Sequence, residues 1–155
     1  MALLMRDATL QDSDLVLNWR NNLDVRLFSH NKELISKKAH SSWLLNRLTQ
    51  IQTQPFWLFE EDSELIGMVR FDLRPERNLF EISIVINPLH RGEGYGKRIL
   101  ESSVQRCTKL YPEFNFCAEV HKENIASKVL FFNSGFKEID EIGSFLVLER
   151  RANFN

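Results

Sequence analysis

Residues 80–86 read Phe-Glu-Ile-Ser-Ile-Val-Ile, and Asn87-Pro88 ends the run. Apolar and β-branched side chains dominate it. This is the pattern of a buried strand with a hard stop, because proline has no N–H for a central ladder. From Lys97 onward the apolar residues recur at helical spacing. Between strand and helix lies Arg91-Gly92-Glu93-Gly94-Tyr95-Gly96. A strand, a glycine-rich turn and a helix start together make an anion cradle. Glycine removes the Cβ, so backbone N–H groups can converge on one centre, and the helix N-terminus adds partial positive charge.

The spacing narrows the choice of anion. A P-loop needs four residues between its first glycine and Gly-Lys-Ser/Thr, whereas Gly96-Lys97 is followed by Arg98. A dinucleotide turn needs Gly-x-Gly-x-x-Gly, and here Gly92, Gly94 and Gly96 fall on every second residue. Both signatures fail. What remains is Arg-x-x-Gly-x-Gly on Arg91, Gly94 and Gly96.

The remainder of the chain supplies the context. Its length, 155 residues, suggests a single domain over 1–155 with a sizeable core, and twelve Phe and three Trp supply large surfaces to bury. A net charge of −1 gives no general pull toward nucleic acid or an anionic membrane. Cys107 and Cys117 have no metal-site spacing and read as packed reduced thiols; no metal is expected. No signal-peptide core and no run long enough to span a bilayer is present, so the cytoplasm is the expected compartment.

The apolar pattern predicts strands over residues 3–8, 55–60, 65–73, 80–86, 114–120, 136–139 and 145–150. It predicts helices from Asp12 or Ser13 through Trp19, from a Ser36 cap past Leu48, from Lys97 to about Leu110, and over 124–133 with Gly135 closing the last. Residues 24–34 have no clear period and read as a loop. The order is β-α-α-β-β-β-α-β-α-β-β. That is an α/β (α+β) chain with a mixed, mostly antiparallel sheet of about seven strands, flanked by four helices on both faces.

This order, and the Arg91–Gly96 loop, closely resemble the Gcn5-related N-acetyltransferases, whose equivalent loop holds the diphosphate of acetyl-coenzyme A. A second stretch resembles a later motif of the family: Glu119-Val120-His121-Lys122-Glu123-Asn124-Ile125-Ala126-Ser127, closing on Ser134-Gly135-Phe136. The resemblance covers nearly the whole chain. It implies transfer of an acetyl group from acetyl-coenzyme A to an amine by direct attack. Ile84, Val85 and Ile86 would offer edge groups to the pantetheine amides. Arg91, Gly92, Glu93, Gly94, Tyr95, Gly96 and Lys97 would take the diphosphate. Asn124 and Ser127 match positions that contact the cofactor arm, and equally suit helix capping.

Two carboxylates match bases used in the family: Glu119, five residues before Asn124, and Glu81, inside the central strand. A carboxylate in an apolar strand is costly to bury without a partner, which singles out both. Many members carry a tyrosine seven residues after the helix asparagine, where its hydroxyl protonates the departing thiolate; this chain has Phe131 there. The acid therefore stays open, with His121 and Tyr95 as alternatives. In the family the first two helices bind the acceptor. Here Arg20, Arg26, Phe28, His40 and Trp43 resemble the nucleotide-linked amino-sugar N-acetyltransferases of the pseudaminic-acid pathway, with aromatics stacking on a ring and Arg or His pairing with phosphate. Trp43 and His40 at helical spacing also suit a core. The ribosomal-protein and polyamine branches share these helix patterns, and Phe131 would also suit a non-catalytic coenzyme A-binding module. Edge strands near the C-terminus leave room for a homodimer.

Overall fold

In the computed structural model, which describes residues 2–152, the chain runs β1 (Leu4–Asp7), α1 (Ser13–Arg20), α2 (Leu23–Leu27), α3 (Lys37–Leu48), β2 (Phe56–Glu61), β3 (Glu64–Arg74), β4 (Leu79–Ile86), α4 (Tyr95–Leu110), β5 (Asn115–His121), α5 (Ile125–Asn133), β6 (Lys137–Ile142) and β7 (Phe145–Arg150). The seven strands form one sheet in the order β1-β2-β3-β4-β5-β7-β6. Only the β4–β5 pairing is parallel, and α4 provides its crossover. The mixed, mostly antiparallel sheet with helices on both faces is as the sequence predicts.

Alternation along β2 and β3 sends neighbouring side chains to opposite faces. Trp57, Phe59, Val69 and Phe71 join Ile99, Leu100 and Val104 of α4 and Phe131 of α5 in one core. Phe56, Leu58 and Met68 join Val16 and Trp19 of α1 and Leu44 of α3 in the other. Gly67 marks where α4 comes close. A Cβ there would lie 2.9 Å from Ile99 Cδ1 and 3.0 Å from the Val85 carbonyl oxygen. Cys107 and Cys117 are buried free thiols, and burial pushes both up to about 12, so neither is poised as a nucleophile.

Three local expectations change. Residues 24–34 are not all loop: α2 forms over Leu23–Leu27, capped by the Asn22 side chain, which accepts from the Asp24 N–H. This fifth helix is little more than one turn, too short for apolar periodicity to reveal. The α4 helix starts at Tyr95 rather than Lys97, because Gly94, at φ +84°, takes the capping position in a left-handed conformation. Asp12 precedes α1 but does not cap it by its side chain; its carboxylate instead accepts from the Arg6 guanidinium at 2.8 and 2.9 Å and from the Thr9 N–H at 2.8 Å.

Candidate active site

The parallel ladder between β4 and β5 ends at Glu81↔Cys117. Strand β4 continues to Ile86 and β5 to His121, each still paired on its far side. The two strands therefore part, and the edge of Ile84, Val85 and Ile86 faces a cleft rather than a neighbour. That cleft holds about 1210 Å³, more than the roughly 300–1,000 Å³ of an ordinary ligand pocket.

The glycine loop forms one wall. Gly92 and Gly94 stand at φ +79° and +84°, where a side chain is strained, and a Cβ at either would meet nothing within 4 Å. These glycines serve the backbone path rather than packing. Gly96 sits in the first turn of α4 against α5, with Leu130 Cδ2 3.4 Å from where its Cβ would be. Arg91, Tyr95 and Lys97 line the cleft, but Glu93 does not: it turns to His90, 3.1 Å away. The predicted contact at Glu93 therefore reduces to its backbone. Arg91 is tied across the cleft to α2, with one guanidinium nitrogen 3.0 Å from Asp24 Oδ2. Tyr95 donates to Glu61 Oε1 at 2.7 Å, which raises its pKa and leaves it a poor proton donor.

At the start of α5, the Asn124 side chain accepts from the Ser127 N–H at 3.1 Å. Helix capping is thus realised at this pair, although both residues line the cleft. Phe131 is 3% exposed and packs edge-on against Phe136 with one side toward the cleft.

The two carboxylates differ in setting. Glu81 lies where β4 and β5 are still paired, and Arg74 holds it at 3.0 Å. Glu119 lies beyond the parting, and its Oε2 is 3.0 Å from His30 Nε2. The His30 ring stacks on Phe145 with centroids 3.8 Å apart and planes 18° apart. His121 also lines the cleft, between Phe28 and Phe145. Its Nδ1 accepts from the Glu123 N–H at 3.1 Å.

The far wall is cationic. Arg20 and Arg70 both lie over the Trp43 ring, at 4.1 and 5.1 Å from its centroid. Arg70 and Arg47 share Asp72, at 2.8 and 3.0 Å. Burial pushes the Asp72 carboxyl up, but the two guanidinium groups outweigh it and hold the pKa below its usual value. Arg20 has no carboxylate partner among the described residues; its hydrogen bond, 3.0 Å, goes to His40 Nδ1. Burial, with the nearby Arg70 cation, pushes Arg20 down to about 10.

His40 is a correction. It is 0% exposed and stands behind the cleft wall instead of in it. An arginine N–H can only donate, so Nδ1 accepts from Arg20 while Nε2–H donates to the Ser13 carbonyl at 3.0 Å. Burial and the Arg20 cation lower its pKa and keep it neutral, the form able to hold Arg20. Arg26 is likewise engaged, donating to the backbone carbonyls of Asn21 at 3.0 Å and Lys32 at 3.2 Å.

Sequence reasoning missed Arg70, Asp24 and His30. Arg70 had a signal: Arg70 and Asp72 interrupt an apolar strand two residues apart, hence on one face, where unpartnered charge is costly. His30, in an aperiodic stretch, had none. Among the described residues, no group of three or more His, Cys, Asp or Glu could hold a metal ion. No helix among them is long and apolar enough to cross a membrane.

The chain resembles solved acetyltransferases along nearly its whole length. The ribosomal-protein-alanine N-acetyltransferase of Brucella melitensis is 22% identical, with a TM-score of 0.79 over 96% of this chain and 99% of that one. The PaiA N-acetyltransferase of Thermoplasma acidophilum, in complex with coenzyme A, is 20% identical, with a TM-score of 0.76 over 97% and 99%. The spermidine N-acetyltransferase of Vibrio cholerae, in complex with coenzyme A and spermine, is 19% identical, with a TM-score of 0.81 over 95% and 92%. At such identities the likeness is one of fold. No curated protein sequence matches the chain. Residues 2–137 match the family model described as the acetyltransferase (GNAT) domain, and the chain belongs to that family.

Proposed function

We propose that the protein transfers an acetyl group from acetyl-coenzyme A to a primary amine of a small, phosphate-bearing acceptor, a nucleotide-linked amino sugar, by direct attack in a ternary complex. The observation that carries this reading is the cleft's two unlike walls. One offers backbone: the unpaired edge of Ile84–Ile86 and the Gly92–Gly96 turn. The other offers cation and aromatic surface: Arg20 without a carboxylate partner among the described residues, Arg70 and Trp43.

Acetyl-coenzyme A would supply an activated acyl group on a thiol that leaves readily. Edge amides of β4 would pair with the pantetheine, and N–H groups of the loop, with Arg91 and Lys97, would neutralise the diphosphate. The proton acceptor lies on the Glu119 side, because Glu81 is engaged by Arg74 below the parting of the strands. Among the amine classes, a polyamine is disfavoured by the guanidinium groups of Arg20, Arg26, Arg70 and Arg91 that line the same cleft, since like charges repel. A ribosomal-protein N-terminus remains the alternative within the family.

Titrating the protein with acetyl-coenzyme A by calorimetry tests the first wall. Thiol release in the presence of nucleotide-linked amino sugars, a polyamine and an N-terminal peptide tests the second. The expected result is tight binding and turnover with the nucleotide-linked acceptor. Turnover with the peptide or polyamine alone overturns the acceptor reading. Binding with no turnover on any amine favours a non-catalytic coenzyme A-binding module.

A further inference from the structure

The segment between α2 and α3 crosses to the opposite wall and delivers one titratable side chain there. His30 Nε2 lies 3.0 Å from Glu119 Oε2. The ring is fixed by stacking on Phe145, 3.8 Å between centroids, and Phe145 in turn meets His121 edge-on. An isolated exposed ion pair would be ordinary surface. This one is different in three respects. It lies in the cleft just past the parting of β4 and β5, across from the Ile84–Ile86 edge proposed above to hold the cofactor. Its imidazole is held by a ring stack as well as by a carboxylate. And its Nδ1 makes no bond to any described residue.

We propose that His30 and Glu119 form a catalytic dyad in which His30 Nδ1 takes the proton from the acceptor ammonium while Glu119 fixes the imidazole. This rests on the acetyltransferase reading above. With Nε2–H donating to the carboxylate, the lone pair of the neutral ring stands on Nδ1, turned away from Glu119. The division of labour is that of a base and its orienting group.

The proton balance closes without another reactant. His30 removes one proton from the ammonium. The nitrogen lone pair then forms the C–N bond, and the C–S bond breaks with its electron pair on sulfur. The surplus proton on the new amide nitrogen ends on that sulfur. The proton held by His30 passes to water, which the side chain, 63% exposed, can reach. His121 is less suited to act as the base, since it is 7% exposed and its Nδ1 is already an acceptor for the Glu123 N–H. Phe131 plays no proton role.

The test compares wild type, His30→Ala, His30→Gln and Glu119→Gln by thiol release, with acetyl-coenzyme A affinity measured separately by calorimetry. His30→Ala should lower kcat by about 100-fold or more, with acetyl-coenzyme A affinity unchanged. Added imidazole should restore part of the rate to His30→Ala and none to His30→Gln, whose side chain fills the space. A merely structural His30 would not respond to imidazole. Glu119→Gln should lower kcat less than His30→Ala. Full activity in His30→Ala, or a loss that imidazole does not restore, overturns the dyad while leaving the acetyltransferase reading intact. No thiol release by wild type with any amine overturns both.

Discussion

The two walls of the cleft are built by opposite means. The wall proposed for the cofactor is made of backbone: an unpaired strand edge at Ile84–Ile86 and a turn held open by Gly92 and Gly94 at positive φ. The wall proposed for the acceptor is made of side chains from distant parts of the chain. Arg20 comes from α1, Trp43 from α3 and Arg70 from β3, and they meet over one indole ring. A backbone site needs contiguous residues, and contiguous residues make a motif. A side-chain site needs only a fold that brings its parts together, and it leaves little trace in the local sequence. The same difference predicts how each wall fails.

The largest effect is expected at the backbone wall. Gly94→Val forces a β-branched residue into a left-handed conformation, which costs an ordinary residue roughly 1–2 kcal/mol and a β-branched one more. Its Cβ would meet nothing within 4 Å, so the fold has no packing reason to fail. Relief comes by turning the peptide units, and those units carry the N–H groups that the proposed diphosphate site would use. Calorimetry should show acetyl-coenzyme A affinity lost beyond detection, while the variant still unfolds cooperatively. Unchanged affinity in the folded variant would mean the diphosphate is held by side chains, and the contrast between the walls would collapse.

The side-chain wall should fail by degrees. Arg20→Gln removes a cation that has no carboxylate partner among the described residues but keeps a donor for His40 Nδ1. A hydrogen bond to a charged group contributes about 1.5–3 kcal/mol, or roughly 10–100-fold in binding. Steady-state kinetics should show the acceptor KM rising by that factor with acetyl-coenzyme A affinity unchanged. An effect on both substrates would show that Arg20 supports the cleft as a whole. No effect on either would remove the anion from the acceptor.

The same contrast governs what the sequence alone could reveal. The strand ending at Asn87-Pro88, the Arg91–Gly96 turn and the alternation of the sheet strands were legible because each depends on neighbours in sequence. A free edge at Ile84–Ile86 was implied by the resemblance alone, since no local residue announces where β4 leaves β5. The sequence singled out Trp43 and Arg20, yet Arg70, which shares the Trp43 ring with Arg20, lies on β3. His40 was misassigned for the same cause. Helical spacing put it beside Trp43, and only packing shows that it faces Ser13 and Arg20 from behind the wall.

The smallest expected effect falls where the walls touch. Arg91 of the cofactor wall is 3.0 Å from Asp24 of α2, and both side chains are substantially exposed, 37% and 67%. Exposed pairs of this kind contribute little, so Asp24→Asn should leave stability nearly unchanged. Under the proposed placement of the diphosphate, it also removes a carboxylate that competes for the same guanidinium. Acetyl-coenzyme A should then bind up to about fivefold more tightly at low salt, with the difference shrinking as ionic strength rises. Weaker binding in Asp24→Asn would reverse the reading. Asp24 would then be the group that aims Arg91 at the diphosphate, and the backbone wall would depend on a side chain from the acceptor wall after all.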